Sequence, residues 1–217
     1  MTIKDLNKIK NLIFFTRGQL ETLFPKDSGN NIAVNVYRWA KRGEIFSLKN
    51  GFYITCEKYK RYGNDPAFLE FVSSALMRPS YLSLDYVLRK YDILAEATYG
   101  ITAVTLKTGK TYSNKLGTFE YRKIKKSLFT GYQPAYFESN EYYIASKAKA
   151  LFDWFYYRAP AMAPGLENRD LVEDLRLNLE GFNSRDWKEF KGYCNLAGDR
   201  KLSQIAENII KNAPNSI

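Results

Sequence analysis

The hydrophobic positions of this chain change period as it proceeds. In "IKDLNKIKNLIF", Ile3, Leu6, Ile9 and Ile13 recur at helical spacing, the apolar stripe of an amphipathic helix. "FTRGQLETLF" predicts a second helix. Thr16 and Gln19 form a capping box, Leu20, Leu23 and Phe24 face inward, and Pro25 supplies the stop. In "NNIAVNVYRWAKRG", Ile32, Val36, Trp39 and Ala40 make the stripe of a third helix. Asn30 or Asn31 is its cap and Gly43 its C′ residue. The period then shortens: "IFSL" and "FYIT" flank Lys49-Asn50-Gly51. Asn-Gly is the strongest short hairpin signal, because a type I′ turn needs positive φ at both central residues.

Helix, capped helix, helix, hairpin is the order of a winged helix-turn-helix. The charged "CEKYKRYGNDP" reads as a short linker ending near Asp65. Two more helices follow, "PAFLEFVSSALM" and "SLDYVLRKY", the second with Ser83 as its cap. "GITAVTLK" and "GTFEYRKI" are rich in β-branched and aromatic residues and read as strands, with turns at Gly109 and in "SNKLG". "YQPAYFES" and "EYYIA" read as two further strands joined at Ser139-Asn140. Helical patterns return in "SKAKALFDWFYYR", "NRDLVEDLRLNL", "SRDWKEFKGYC" (capped by Ser184) and "DRKLSQIAENIIK". Strands followed by a run of helices argue for an α+β domain. The expectation is an α+β protein in two parts. Residues 1–63 form a winged helix-turn-helix, and residues 64–217 form an α+β domain with a small antiparallel or mixed sheet and a run of helices.

Charge adds a partner to this outline. The chain has 217 residues, is 45% hydrophobic and carries a formal net charge of +10. A balance of this kind points to a polyanion, most simply nucleic acid. Residues 1–63 contribute +7 and residues 105–126 contribute +6, so the remainder is −3. With no histidine, imidazole bases, histidine triads and the usual catalytic zinc sites are excluded. Cys56 and Cys194 stand alone in the sequence, with no disulfide or metal spacing, as expected of a cytoplasmic protein. The N-terminal apolar run is four residues long, and no run reaches the length of a membrane span. No membrane partner, metal or cofactor is expected.

In the third helix Asn31, Asn35, Arg38 and Arg42 point away from the apolar stripe, with Lys41 near the edge. Arg38 suits the edge of guanine and Asn35 that of adenine. Arg17 at the start of the second helix, and Lys49 with Asn50 at the wing turn, are placed for phosphate. A plain solvated helix face is the competing reading. Lys107, Lys110, Lys115, Arg122, Lys123, Lys125 and Lys126 make a possible second basic strip. A sheet edge guarded by lysines reads the same way. Tyr142, Tyr143, Tyr156 and Tyr157 invite base stacking, but more often such residues complete a core. Catalytic patterns are absent: Asp92 with Glu96, Glu138 with Glu141, and Glu173 with Asp174 match no nuclease motif, and there is no phosphate-binding glycine loop. The protein is read as not an enzyme.

Five stretches carry a resemblance. They are Pro79-Ser80-Tyr81-Leu82-Ser83-Leu84, Ile101-Thr102-Ala103-Val104-Thr105, Gly117-Thr118-Phe119 with Tyr121-Arg122, Phe129-x-Gly131-Tyr132, and Ala145-x-Lys147-Ala148-x-Ala150-Leu151. Together they resemble the AbiEi-type antitoxins of abortive-infection toxin–antitoxin systems, over roughly residues 10–160. The last 50 or so residues match no family pattern. The resemblance implies an N-terminal winged helix-turn-helix and a C-terminal antitoxin domain. It implies binding of double-stranded DNA at promoter inverted repeats, with possible dimerisation there, and repression of the protein's own operon. It also implies neutralisation of a nucleotidyltransferase-like toxin, in a type IV arrangement that need not involve direct binding. A DNA-targeted, metal-dependent nuclease and a direct toxin binder are the alternatives. One departure is the loop "FPKDSGNN", long for a turn before a recognition helix.

Overall fold

The computed structural model describes residues 8–9, 12–95, 100–162, 165 and 169–214. The chain is α+β and divides into two compact units, residues 1–72 with 112–118, and residues 73–111 with 119–217. The sequence reading divides it once, at 63/64.

The first unit begins with β1 (Phe15–Thr16), α1 (Arg17–Leu23) and α2 (Gly29–Lys41). It continues through the strands β2 (Ile45–Lys49) and β3 (Phe52–Thr55) to α3 (Cys56–Tyr62). The strands pair antiparallel in the order β1-β3-β2. This is a helix-turn-helix followed by a wing, with a two-residue strand that the hydrophobic pattern does not reveal. Most of the expected first helix lies outside the described residues. Where the chain is described again, residues 12–14 are not helical and run directly into β1. The Thr16–Gln19 capping box forms as expected. Ile9, Phe15, Leu20, Phe24, Ile32, Val36, Trp39 and Ile45 make one buried cluster. Leu23 and Ala40, both expected inside, are exposed.

The expected linker after the wing folds as α3. Thr55 caps it, its hydroxyl accepting from the Lys58 amide at 3.3 Å. Tyr59 meets Phe46 edge-on and Tyr62 lies against Phe68. These ring contacts give a short charged segment an apolar face, which composition alone conceals. Then comes α4 (Pro66–Leu76), whose first amides, those of Ala67 and Phe68, donate to Asp65 Oδ1.

The second unit contains β4 (Ser80–Leu82), α5 (Leu84–Lys90) and β5 (Ile101–Thr105). The strands β6 (Lys110–Asn114) and β7 (Gly117–Lys123), whose residues 112–118 belong to the first unit, then β8 (Tyr132–Phe137) and β9 (Asn140–Ala145), follow. The helices α6 (Lys147–Arg158), α7 (Leu171–Asp174), α8 (Ser184–Ala197) and α9 (Arg200–Asn212) come last. Among the described residues the strands form one mixed sheet in the order β6-β7-β5-β4-β9-β8. The pairs β4/β9 and β5/β7 are parallel, and β4/β5 and β8/β9 antiparallel. Neither the three-residue β4 nor β6, where only turns were expected, was visible in the hydrophobic pattern. The β8–β9 turn is Glu138-Ser139, one residue earlier than expected, with Glu138 at φ +51°.

Three helix ends also differ from the sequence reading. The cap of α8 is Asn183, in a capping box with Asp186, and not Ser184. Ser83 precedes α5 but makes no capping bond. The helix expected across "NRDLVEDLRLNL" is only the single turn α7. Arg176 takes a left-handed φ of +50°, Leu177 bridges to Leu94, and the Asn178 amide donates to Ile93 O. Backbone pairing with a distant segment wins there over a locally helical pattern.

Candidate nucleic-acid interface

The cap of α2 is Ser28, its hydroxyl accepting from the Asn31 amide at 3.3 Å, and not Asn30 or Asn31. The helix therefore starts inside the long loop, which shortens the turn between α1 and α2. At the other end the Gly43 amide donates to Ala40 O and the Glu44 amide to Trp39 O. With Gly43 at φ +72°, this is a Schellman ending on a left-handed glycine, as expected.

Ile32, Val36 and Trp39 are buried, so at about 3.6 residues per turn the opposite side is centred on Asn30, Val34 and Lys41. Asn31, Arg38, Lys41 and Arg42 are exposed there. Val34 is 46% and Tyr37 66% exposed, two outward apolar side chains that the charge-led sequence reading overlooked. A helical wheel drawn from the buried stripe would have found them. Asn35 lies on the flank, half-buried, with its amide nitrogen donating to Asn31 O at 2.7 Å. Its Oδ1 and its second N–H are left for a base. Arg42 Nη1 is 4.0 Å from Glu44 Oε1.

Arg17 is engaged within the unit. Its Nε meets Glu21 Oε1 at 3.1 Å, its Nη2 donates to Gly29 O, and its backbone amide donates to Gly51 O in the wing turn. These bonds tie α1 to the start of α2 and to the wing. The wing turn itself is not type I′. Gly51 has φ +72°, whereas Asn50 is not among the positive-φ residues, and the register slips by one between Ser47 and Lys49. A bulge therefore supplies the turn, with glycine alone in the left-handed region. Asn50 is exposed, and Lys49 lies over the rings of Phe52 and Tyr112 at 5.4 and 5.8 Å.

Tyr112 belongs to the most informative feature of this unit. Residues 112–118, from the turn between β6 and β7, fold with the wing. Asn114 Nδ2 donates to Leu48 O at 3.0 Å, and Lys115 Nζ lies 4.0 Å above the Phe46 ring. A second cationic turn thus sits against the first. Of the second basic strip, Lys115 belongs to this unit, while Lys107, Lys110, Arg122, Lys123, Lys125 and Lys126 belong to the other, all of them exposed. Arg122 is paired with Glu120 at 2.7 Å. On α3, Lys60 and Arg61 are further exposed cations of the first unit that were not singled out in the sequence.

Two of the quoted stretches, those holding Tyr81 with Ser83 and Gly131, meet Lys149 and Asp153 of α6 at a buried polar knot. Asp153 Oδ1 accepts from Lys149 Nζ at 2.5 Å, and Oδ2 accepts from Tyr81 OH at 2.9 Å and Ser83 Oγ at 2.7 Å. Both charged side chains are fully buried. The rings of Phe152, Tyr193 and Tyr81 surround the ammonium at 4.5, 5.3 and 5.7 Å. Burial drives the Asp153 carboxyl up and the Lys149 ammonium down, each partly opposed by the other's charge. A Cβ on Gly131 would stand 2.3 Å from Tyr193 Oη and 3.0 Å from Lys149 Cγ, so the glycine permits the closure. The knot is closed to solvent and organises the core.

Of the four tyrosines, Tyr142 is buried, Tyr156 and Tyr157 are half-buried, and Tyr143 is exposed. The Tyr157 hydroxyl donates to Lys123 O at 2.9 Å. Asp92, Glu138, Glu141, Glu173 and Asp174 are exposed, and Glu96 lies outside the described residues. Among the described residues, no three histidine, cysteine, aspartate or glutamate side chains group as metal ligands. No described helix is long and apolar enough to cross a membrane. No protein-family model matches this chain, and no curated protein matches it.

Proposed function

We propose that this protein is a DNA-binding autorepressor and antitoxin of the AbiEi type, acting in the cytoplasm. The observation that carries the reading is the outward face of α2. Arg38, Lys41 and Arg42 stand clear of the core next to Val34 and Tyr37, on a helix followed directly by a cationic wing. Such a helix offers guanidinium donors to base edges and apolar side chains to thymine methyl groups. The wing and the adjoining Lys115 turn offer cations to phosphate. The sequence resemblance supplies the rest: an inverted-repeat operator, two copies bound, and opposition to a nucleotidyltransferase-like toxin, with no catalytic residue required of this chain.

Fluorescence anisotropy on the promoter of the protein's own operon, against scrambled DNA of equal length, tests the reading. Saturable, sequence-selective binding is expected. If about six phosphates are neutralised, log K falls with log salt at a slope near −5. Equal affinity for both duplexes, or none for either, would sink the repressor. Growth rescue on co-expression with a neighbouring nucleotidyltransferase-like protein tests the antitoxin half.

A further inference from the structure

Within the second unit a cleft of about 550 Å³ opens beside β4, β8 and β9. Its size lies in the range of small-molecule sites. Phe129, Tyr132 and Tyr143 supply aromatic walls, and Arg78 and Glu141 supply one charge of each sign. The strand register explains the grouping. Tyr143 faces Pro134 and Glu141 faces Tyr136 across the β8–β9 pair, so alternate residues of both strands share this side of the sheet. Tyr143 is 38% and Tyr136 58% exposed.

The rings are held firmly. Tyr132 stacks on Tyr81 at 4.8 Å and meets Phe129 and Tyr143 edge-on, each at 5.3 Å. Tyr81 is in turn anchored through its hydroxyl to Asp153. Arg78 is exposed and makes no ion pair among the described residues. Glu141 lies beside two phenols: the Tyr136 hydroxyl is 3.4 Å away, and hydrogen bonding to Glu141 is the first cause of the raised Tyr143 pKa.

A preformed aromatic wall, a guanidinium with no ion pair among the described residues and a carboxylate in one cleft match three parts of one ligand class. The wall takes a planar base by stacking. The guanidinium takes phosphate. The carboxylate accepts from an amino group on the base edge, as it does from cytosine in duplex readout. We infer that this cleft binds a nucleotide whose base carries an exocyclic amino group, with its phosphate on Arg78 and its amino edge on Glu141. The inference is independent of the DNA reading, since none of these residues belongs to the unit that contains α2.

Isothermal titration of the full chain with AMP, CMP, GMP, UMP and inorganic phosphate, in the absence of DNA, tests it. Saturable binding is expected for at least one of the three amino-bearing nucleotides, with UMP about ten-fold weaker or more, because UMP lacks that group. Arg78→Gln should weaken the nucleotide at least ten-fold and leave the parent nucleoside nearly unchanged. Glu141→Gln should erase the preference over UMP, and Tyr143→Ala should weaken every nucleotide. All three positions are exposed, and a thermal melt checks that each variant folds. The inference is overturned if no nucleotide binds at millimolar concentration. It is also overturned if phosphate alone binds as tightly as the nucleotides, or if Arg78→Gln and Glu141→Gln change nothing.

Discussion

The Ser83 hydroxyl lies 2.7 Å from Asp153 Oδ2 and donates to it across 70 positions of sequence. It forgoes the capping bond to its own helix. A serine in the position of a helix cap serves instead to satisfy a buried carboxylate, because an unpartnered charge inside a core costs far more than an unmade cap.

Asp153→Ala should therefore be among the most destabilising single changes in the chain. It orphans a buried ammonium and two hydroxyls, at about 3–5 kcal/mol. Lys149→Met leaves the carboxylate with its two hydroxyl donors and should cost less. Urea denaturation of the two variants gives the order, and a smaller loss for Asp153→Ala would show that the knot is not held by its carboxylate.

Alkaline stability should fall within a definite window. Burial pushes the Cys194 thiol up from 9.0 to about 12, and burial is also the first cause of the raised phenols of Tyr81 and Tyr157. Each folded pKa lies above its unfolded value. For Cys194 the contribution to stability is complete below about pH 9 and is lost as pH climbs from 9 toward 12; the two phenols extend the loss upward. The urea midpoint should drop between about pH 9 and pH 12, and phenolate absorbance in the native protein should lag behind that of the unfolded chain.

The face of α2 predicts two kinds of loss. Arg38→Ala should relax the choice of base at one operator position by about 1–3 kcal/mol, whereas Lys49→Ala should weaken all sequences alike and lower the salt slope by about one. Anisotropy on single-base operator variants separates these outcomes. If Arg38→Ala, Lys41→Ala and Tyr37→Ala all leave operator binding intact, α2 is not the reading helix.

The end of α2 should depend on one backbone angle. Gly43 stands at φ +72° with nothing within 4 Å of an added Cβ. Gly43→Ala therefore meets no steric clash and should cost about 1–2 kcal/mol through conformation alone, read as a lower denaturation midpoint.

Asn114→Ala removes the bond its Oδ1 accepts from the Leu116 amide and the bond its Nδ2 donates to Leu48 O, and should destabilise by about 1–2 kcal/mol. If the wing takes its shape from that contact, operator affinity should fall too, although Asn114 carries no charge. Unchanged affinity would mean that the wing holds its form without the second turn.

Local patterning was enough for the α+β class, the helix-turn-helix with its hairpin, the Thr16–Gln19 capping box, the Gly43 ending and the stripes of α6 and α9. Each of these rests on interactions between residues a few positions apart, so period and cap chemistry record them. The two-residue β1 and three-residue β4 are too short to show a period, and α3 shows its apolar face only once Phe46 and Phe68 lie beside it. Folding alone brought Tyr81 to Asp153, placed the Asn114 turn on the wing, and drew Arg78 and Glu141 into one cleft. Those pairings join segments some 60 to 70 residues apart, where the path of the chain, and not the preference of any one residue, selects the neighbours.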